Sequence, residues 1–434
     1  MSVNVIIGLQ RGDEGKGRFV DMMAEEHDIV ARFNGGNNAG HTVVLPDGRD
    51  LALHLVPSGI AHLHAMNIIG NGTLVNPVKL NEEIASIEEK DIEVSRRNLM
   101  LSSAAHLILP HHICEDEIRE AGNGGQGSTK SGIAQVSSFK SLRTGVRAEI
   151  IKNYPHKLEE IAFAGLHAQR FLRAEADLEP LNESDIVKEY VESARKLGGY
   201  ITDTVFYLNN QLRLPKPARV LAEGAQAFLL DIDHGMYPYT TSSSTTSGGV
   251  ATGLGIPPHF IDRVTGVAKM TQSHVGGGPF VTEIFDENLL TRLHGNMNTI
   301  DAEKGTTTGR VRRLGWFDIP QIRRANMVNG THDMALSKLD WASEERYGDE
   351  MKICVAYERK GKNLEIAPDA SHKLMQSTPI YAKLPTIKQD IQGIREFKDL
   401  PEEAQNIVTF IETNTGVPIT KIGVGPNREQ VIVR

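Results

Sequence analysis

Residues 8–21 combine groups that bind phosphate with two carboxylates. The stretch GLQRGDEGKGRFVD contains four glycines, whose backbone N–H groups can approach phosphate oxygens, and Lys16, which adds a positive charge. The apolar run before it and the FVDMMAEE run after it predict a connection from a strand to a helix. A tight turn with a solvated charge cluster has the same composition, so the loop alone leaves phosphate binding and a structural turn both open.

Asp13 is a residue that a simple phosphate cradle does not need. Beside a polyphosphate, a carboxylate is tolerable when Mg²⁺ lies between the two groups. The same side chain could act as a general base toward a second substrate. The loop is not a Walker A motif, because Gln10 and Gly17 replace its first and last residues. It therefore predicts an anion site that is also a catalytic site.

Five further stretches join glycines to polar side chains. Considered singly, a histidine is more often structural than catalytic, and a basic run is usually a solvated surface. The stretches are residues 32–44 with His41, residues 123–147 with Ser128, Thr129, Lys140, Arg143 and Arg147, residues 223–249 with Gln226, Thr240 and Thr241, residues 304–318, and residues 337–342.

The last two stretches carry the most specific chemistry. KGTTTGRVRRLGWFD places three threonines and three arginines within eight residues, and guanidinium groups bind carboxylates and phosphates through two parallel hydrogen bonds. SKLDWA resembles the guanine-reading element of GTP-binding proteins, in which an Asp accepts the base N1 and N2 hydrogens and the Lys stem packs on the ring. Lys-x-Asp is common, so this element is weak evidence when it stands alone.

The elements that must position these residues alternate between strands and helices. Residues 3–9 and 67–77 predict strands, and residues 219–226 predict a strand that ends in a glycine loop. Residues 80–90 and 402–416 have helical spacing, and Gly416 is the expected C-cap of the second helix. We therefore expect an α/β fold with a large central, mostly parallel sheet flanked by helices. The long polar loops at 122–147, 234–249 and 303–313 are expected to be functional.

Composition narrows the class of protein. The 434 residues are 40% apolar and 24% charged, and the net charge of −8 argues against broad binding to nucleic acid or to membrane surfaces. Cys114 and Cys354 are too few for a disulfide framework, and no apolar run reaches the length of a membrane span. The HHIC sequence at 111–114 lacks a second pair of zinc ligands. We expect a cytoplasmic protein with no nucleic-acid partner and no membrane association.

Taken together, the polar stretches resemble the adenylosuccinate synthetase family, and the resemblance runs from about residue 4 to residue 433. The motifs appear in the order of that family. They include GDEGKG at 12–17, NAGHT at 38–42, HLVPSGI at 54–60, EGAQ at 223–226, LDIDHG at 230–235, VGGGPF at 275–280, TTTGRVRRLGW at 306–316 and SKLD at 337–340.

The resemblance implies a ligase that joins L-aspartate to IMP and converts GTP to GDP and phosphate. Asp13 would take the N1 proton of IMP, so that O6 attacks the γ-phosphate and 6-phosphoryl-IMP forms. His41 would act as an acid on the transferring phosphoryl group, while Lys16 and Gln226 would complete the catalytic set. Asp13 and the Gly40 carbonyl would hold Mg²⁺. The family also implies one catalytic domain over 1–434 and a homodimer in which Arg143 reaches the partner's site.

The resemblance assigns the remaining site residues to three substrates. GTP would contact Gly12, Glu14, Gly15, Lys16, Gly17, Gly40, Thr42, Arg312, Lys338, Leu339, Asp340, Gly423 and Gly425. IMP would contact Asn38, Thr129, Arg143, Gln226, Thr241 and Arg310. L-aspartate would contact Gly305, Thr306, Thr307, Thr308, Gly309 and Arg310.

Four segments depart from the usual pattern of the family. Arg11 replaces a tryptophan, residues 131–137 lose an arginine and a Gly-Pro pair, Ser273–Gly276 replaces Thr-Arg-Val-Gly, and Gly423–Pro426 replaces Ser-Thr-Gly-Pro. Two alternatives therefore stay open beside the IMP ligase. One is a paralogue that acts on a deoxy or 2-amino 6-oxopurine nucleotide. The other is a non-catalytic GTP-binding switch, against which Asp13 and His41 argue.

Overall fold

The fold is built on one ten-stranded sheet in the order β20-β19-β15-β11-β1-β10-β2-β5-β7-β9. The computed structural model describes residues 3–45, 47–122, 128–296, 303 and 311–434. Its strands are β1 (Val3–Gly8), β2 (Ile29–Arg32), β3 (His41–Val44), β4 (Asp50–Leu53), β5 (Met66–Ile69), β6 (Leu74–Val75), β7 (Leu99–Ser102), β8 (His106–Leu107), β9 (Ile201–Thr202), β10 (Val220–Glu223), β11 (Ile261–Lys269), β12 (Gln272–His274), β13 (Arg313–Gly315), β14 (Phe317–Asp318), β15 (Asp333–Ser337), β16 (Glu350–Arg359), β17 (Lys362–Leu364), β18 (Thr378–Pro385), β19 (Ile419–Gly423) and β20 (Val431–Val433).

Helices pack on this sheet and connect its strands. They are α1 (Lys16–Ala24), α2 (Pro77–Glu88), α3 (Pro110–Ala121), α4 (Ile133–Leu142), α5 (Ile150–Asn153), α6 (Pro155–Ala168), α7 (Arg170–Glu175), α8 (Glu183–Lys196), α9 (Thr204–Leu212), α10 (Gly248–Leu254), α11 (Glu287–His294), α12 (Ile319–Asn329), α13 (Glu344–Tyr347), α14 (Ser371–Met375) and α15 (Glu402–Thr415). None of the helices in the described ranges is long and apolar enough to cross a bilayer.

The central sheet is parallel except at one edge. Adjacent strands pair in parallel from β9 through β1 to β19, and only β20 pairs antiparallel, with β19. The β-branched residues of β1 are buried, as expected for a strand covered on both faces. The predicted α/β class with a large, mostly parallel sheet is therefore confirmed. A smaller sheet of β14, β16, β17 and β18 lies beside it.

Two large apolar clusters surround the sheet and confirm both predicted helices. Leu80, Ile84 and Ile87 of α2 are buried in the cluster that includes α6 and α8. Ile407 and Ile411 of α15 are buried in the other cluster. The second helix ends as predicted, at Gly416 with φ 71°, a conformation that costs glycine little.

Two local expectations need correction. Residues 67–77 do not form one strand, because β5 ends at Ile69 and a turn precedes β6. At Gly72 in that turn, a Cβ would collide with the carbonyl of Phe33, so the chain must bend where only glycine fits. The stretch 122–147 is not all loop, since α4 occupies Ile133–Leu142. Its Ile133 and Val136 pack in a separate small apolar cluster.

Candidate active site

A cavity of about 830 Å³ lies at the carboxyl ends of the central strands. Parallel strands direct their following loops to one edge, which is where open α/β sheets bind ligands. The cavity brings together most of the residues that the sequence singled out. Those that line it are Gly12, Asp13, Glu14, Gly15, Lys16, Gly17, Asn38, Gly40, His41, Thr42, Thr129, Gln226, Thr241, Arg312, Lys338, Asp340 and Gly425.

Several predicted site residues do not line this cavity. The side chain of Leu339 is fully buried, so it packs in the core, and Gly423 lies at the end of β19. Arg143 is exposed at the end of α4 with φ 66°. The predicted aspartate-binding residues 305–310, including Arg310, lie outside the described residues.

The loop after β1 is shaped by Glu14. Its buried carboxylate accepts the Gly12 N–H at 2.8 Å and lies 2.7 Å from the Lys16 ammonium. Gly15 then adopts φ 79° as the N-cap of α1, which leaves the helix N-terminus open to an anion. Glu14 thus acts on the loop itself, so any phosphate contact at this position must come from its backbone N–H.

Asp13 projects from the same loop in a strained conformation. Its φ of 60° is in the left-handed region, which costs a non-glycine residue about 1–2 kcal/mol. Its side chain remains partly exposed, and Oδ2 lies 2.9 Å from Nε of Arg312. The loop holds a carboxylate at the cavity wall beside a guanidinium group, which suits either a base or a metal ligand.

A buried triad orients His41. Its Nδ1 lies 2.5 Å from Oε1 of Glu223 at the end of β10, and the same oxygen accepts from Nη2 of Arg32 at 2.7 Å. Ser58 adds hydrogen bonds to both carboxylate oxygens, from its backbone N–H and from its hydroxyl, at 2.8 Å each. Because Nδ1–H donates to Glu223, the Nε2 atom of His41 is left for a ligand.

The charges of this triad fix the resting state of His41. Burial, together with the nearby Arg32 charge, lowers the pKa of His41 to about 4, so the ring is neutral at pH 7. Although burial alone would raise it, the Arg32 charge and the hydrogen bond with His41 hold the pKa of Glu223 far below its ordinary value. An acid role for His41 therefore requires a bound anion to raise its pKa.

Polar contacts also organise the opposite end of the cavity. Gln226, with φ 58°, donates from Nε2 to Asn38 Oδ1 at 3.3 Å. Asp116 of α3 accepts from the Ser128 hydroxyl and from the Gly132 N–H, both at 2.9 Å. These contacts hold the turn that carries Thr129 at the cavity wall.

Lys338 and Asp340 line the cavity next to the loop after β1. The Ser337 hydroxyl donates to the carbonyl of Glu14 at 2.7 Å, which joins the end of β15 to that loop. Lys338 has φ 56°, and its ammonium lies 3.5 Å from the centre of the Trp341 ring. The turn thus presents a lysine and a carboxylate to the cavity next to the loop after β1.

Two of the unusual residues meet at one wall. The Arg11 guanidinium carbon lies 4.1 Å from the Phe280 ring centre, and the His274 ring lies 6.5 Å from the same ring. Burial lowers the pKa of Arg11 to about 10, and burial followed by the Arg11 charge lowers the pKa of His274 to about 4. Within the described parts of the chain, Nε and Nη2 of Arg11 have no hydrogen-bond partner. Arg11 and His274, which both depart from the family pattern, thus contact the same aromatic ring.

Known proteins match the chain over its whole length. The adenylosuccinate synthetase family profile matches residues 5–432. The chain belongs to the adenylosuccinate synthetase family. Relatives named adenylosuccinate synthetase include one from Exiguobacterium sibiricum, 39% identical over 100% of this chain and 98% of that protein, and one from Rhodococcus erythropolis, 42% identical over 100% and 99%.

Solved structures agree with this membership. Fully ligated adenylosuccinate synthetase from Plasmodium falciparum aligns with a TM-score of 0.90, 36% identity and full coverage of both chains. Succinoaminodeoxyadenylate synthetase of cyanophage S-2L, bound to dGMP and dATP, aligns with a TM-score of 0.62 and covers 100% of this chain and 95% of that one. At 18% identity, this second likeness shows the fold alone.

Membership in the adenylosuccinate synthetase family confirms the predicted class of enzyme, a GTP-dependent ligase of purine nucleotide synthesis that uses IMP and aspartate. The family activity implies a metal ion. Among the described residues, no three His, Cys, Asp or Glu side chains are grouped as a metal site. Such a site is not required, because Mg²⁺ is commonly held by one or two carboxylates together with substrate phosphates.

The motifs did not reveal every residue that shapes the adenylosuccinate synthetase site. Arg32 and Glu223 orient His41, Asp116 holds the Thr129 turn, and Lys269 lines the cavity beside Glu303. Arg32, Glu223 and Lys269 share one signal, a charged residue as the last position of an apolar strand. Asp116 on α3 gave no comparable signal.

The triad predicts a specific response to loss of the Glu223 charge. In Glu223→Gln, the buried Arg32 loses its counter-charge and His41 loses its orienting acceptor, so we expect about 3–5 kcal/mol lower stability and at least about 100-fold lower kcat in the protein that remains folded. Denaturant unfolding and steady-state assays on the soluble fraction measure both effects.

Glu83→Gln is the matched control for this experiment. Glu83 is also buried, but its carboxylate accepts backbone N–H groups of His54, Leu55 and Val56 and does not line the cavity. This control should lose stability while the folded fraction keeps most of its kcat. A Glu223→Gln protein with kcat within about threefold of wild type would show that the triad does not orient His41 for catalysis.

Proposed function

We propose that this chain joins L-aspartate to IMP with GTP as the energy source, through 6-phosphoryl-IMP. The observation that carries the proposal is the meeting of Asp13, His41 and the Lys338–Asp340 turn in one cavity. We place the activity in a single catalytic domain over residues 1–434. We place the protein in the cytoplasm, because its two cysteines fit a reducing compartment. The single domain and the location remain proposals.

The first chemical task is to make the 6-position of IMP reactive. Hydroxide is a poor leaving group from C6, whereas phosphate is a good one. Asp13 is suited to accept the N1 proton, because its carboxylate stands at the cavity wall and is partly exposed. Loss of that proton directs negative charge to O6, which then attacks the γ-phosphorus of GTP; the bond from this phosphorus to the β–γ bridging oxygen breaks, and GDP leaves. Aspartate displaces phosphate from C6 in the second step.

The second task is to stabilise charge on the phosphoryl group during transfer. The N-terminus of α1 and Lys16 supply positive potential, and His41 lies beside Gly17 in the first turn of α1 with its Nε2 left for a ligand. An anionic phosphoryl oxygen next to His41 raises the pKa of the ring, so that the imidazolium can donate a hydrogen bond. Transfer of this kind depends on positioning and charge neutralisation more than on covalent catalysis.

The residues present fit Mg²⁺ as the metal ion. Asp13 and the Gly40 carbonyl are hard oxygen donors that line the same cavity, and substrate phosphates would complete the coordination. A bound Mg²⁺ would neutralise part of the phosphate charge during transfer. Glu14 does not compete for it, since its carboxylate is held by the Gly12 N–H and the Lys16 ammonium.

We assign the two nucleotides to different residues of the cavity. We place guanine at Lys338 and Asp340, and the IMP phosphate at Asn38, Thr129 and Thr241. Arg143 is exposed and does not line the cavity of its own protomer, which supports a homodimer in which the partner subunit's Arg143 completes the phosphate site. Gln226 would contact the base, and residues 305–310 would bind aspartate.

IMP is the acceptor that the geometry favours. A 2-amino group lies beside N1 and would crowd Asp13, whose position is fixed by the left-handed backbone conformation at this residue. The altered segment 131–137 begins α4, where Ile133 and Val136 pack in an apolar cluster. This supports repacking of that segment over a new specificity pocket.

A side-by-side assay with GTP and aspartate tests the function. We expect IMP to have the highest kcat/KM among IMP, dIMP, GMP and dGMP. Asp13→Asn is the active-site control: it should keep the fold and lose at least about 100-fold in turnover with IMP, because the base and a metal ligand are lost together. A guanine nucleotide with higher kcat/KM than IMP would instead support the paralogue. Binding of GTP without any turnover would support the switch.

The donor site predicts a preference for GTP over ATP. Asp340 can accept from N1 and N2 of guanine but faces the N1 lone pair of adenine, so we expect about 10- to 1,000-fold higher kcat/KM with GTP. Asp340→Asn should shift preference toward xanthosine triphosphate while the KM for IMP stays near wild type. Equal use of ATP and GTP by the wild-type enzyme would contradict the assignment of this turn.

The proposed dimer predicts complementation between two inactive variants. Arg143→Leu and Asp13→Ala should each be nearly inactive alone. After subunit exchange at equal amounts, about a quarter of all sites regain both groups, because half of the dimers are mixed and each mixed dimer has one complete site. Labelled subunits verify the exchange. Absence of recovery after verified exchange would remove Arg143 from the partner's site.

A further inference from the structure

Four charged residues, three of them buried, form a cluster at the cavity wall. Glu303 is fully buried, and its carboxylate lies 3.0 Å from Lys269 Nζ, 2.8 Å from Lys338 Nζ and 3.0 Å from Arg312 Nη1. Arg312 and Lys338 have proposed roles toward GTP, whereas Glu303 and Lys269 have none so far. We call these four residues the Glu303 cluster.

Lys269 is held at a fixed point of the sheet. It ends β11, and its backbone N–H and carbonyl are both hydrogen-bonded by the Gln10 side chain, at 2.9 Å and 3.0 Å. Its ammonium also donates to the Ser273 hydroxyl at 2.6 Å. Gln10 follows the end of β1, and Lys269 ends β11. The ion pair of Lys269 with Glu303 therefore fixes Glu303 relative to β1 and β11. The ammonium is therefore an anchor for the carboxylate.

Glu303 holds Arg312 by two independent contacts. Its carboxylate pairs with the guanidinium, and its carbonyl accepts the Arg312 backbone N–H at 3.1 Å. The opposite side of the same guanidinium faces Asp13, with Nε 2.9 Å from Oδ2. Arg312 thus lies between the Glu303 carboxylate and the reacting centre, and its orientation follows from where Glu303 is held.

The negative charge of Glu303 allows the three cations of the cluster to lie close together. Without an anion between them, Lys269, Arg312 and Lys338 would repel each other strongly, because Lys269 and Arg312 are buried and little water screens their charges. Burial lowers the pKa of Lys269 to about 8, and the three neighbouring cations outweigh burial and hold the pKa of Glu303 well below its ordinary value. The carboxylate therefore stays ionised, and it lets Arg312 and Lys338 remain close together as cations.

We propose that Glu303 and Lys269 are positioning residues for the donor nucleotide, which set Arg312 and Lys338 at the spacing that GTP requires. The proposal rests on the function given above and on the contacts with GTP that the family resemblance implies for Arg312 and Lys338. It makes one distinguishing claim: loss of the cluster should weaken the use of GTP much more than the use of IMP.

Glu303→Gln removes the charge with little change of size. We expect the KM for GTP to rise by about 10-fold or more, the scale of a lost charged hydrogen bond, while the KM for IMP stays within about threefold of wild type. The KM values are measured with the other two substrates saturating. Glu303→Asp keeps the charge with a shorter reach, so it should fold securely and give a smaller rise in the KM for GTP.

The paired variant separates positioning from stability. Lys269→Met alone leaves Glu303 with one fewer cation, whereas Glu303→Gln combined with Lys269→Met removes both charges and should recover much of the lost thermal stability. If the cluster positions the GTP cations, the KM for GTP stays high in this double variant. Lys269→Arg, made in the wild-type enzyme, keeps the charge, so its KM for GTP should be closer to wild type than that of Lys269→Met.

Asp333→Asn is the matched control. Asp333 is a buried carboxylate paired with Arg263 and Lys421, and it lies at the amino end of β15, away from the cavity. It should lose stability without a selective change in the KM for GTP. Wild-type turnover of IMP, aspartate and GTP is established first, so that failure of the proposed function is recognised separately.

Three results would overturn the proposal in an active enzyme. One is a double variant in which stability and the KM for GTP recover together, which would make the cluster purely structural. Another is an equal rise of the KM values for GTP and IMP in Glu303→Gln and Glu303→Asp. The third is a lower KM for GTP in Glu303→Gln, which would show that the carboxylate competes with GTP for these cations.

Discussion

The parallel register of the central strands is the constraint on which the site depends. Glu223 at the end of β10 pairs in register with Arg32 of β2, and Lys269 of β11 pairs with Ser337 of β15. Since all these strands run in the same direction, their last residues meet at one edge of the sheet. The charged groups at these strand ends are therefore positioned by the hydrogen bonds of the central sheet.

That arrangement places several charges in the interior, where each needs a partner. An isolated buried ion is strongly unfavourable, and the fold avoids this by bringing an opposite charge to each charged strand end. Arg32 with Glu223, and Lys269 with Glu303, are two such pairs. In each case a residue that lines the cavity contacts the carboxylate of the pair: His41 contacts Glu223, and Arg312 contacts Glu303. The two pairs therefore position His41 and Arg312 relative to the sheet.

The sequence predicted the class of the fold and most of the cavity for identifiable reasons. Buried β-branched runs and helical spacing identified β1, α2 and α15, because these patterns depend only on local periodicity. Glycine-rich loops identified the residues at the strand ends. The break between β5 and β6 was missed, since it depends on the contact of Gly72 with Phe33, a residue distant in sequence. Partners such as Glu223 for His41 depend on strand order, which periodicity does not reveal.

The departures from the family pattern show how such a scaffold tolerates change. Arg11 and His274 come from separate segments, yet both lie against Phe280 on one wall of the cavity. Their charges are coupled, because the Arg11 cation helps to keep His274 neutral. Arg313, which pairs in register with His274, holds this wall by donating to the carbonyls of Gly276 and Gly278. The contacts that fix this wall involve neither Glu223, which orients His41, nor Glu14, which holds Lys16.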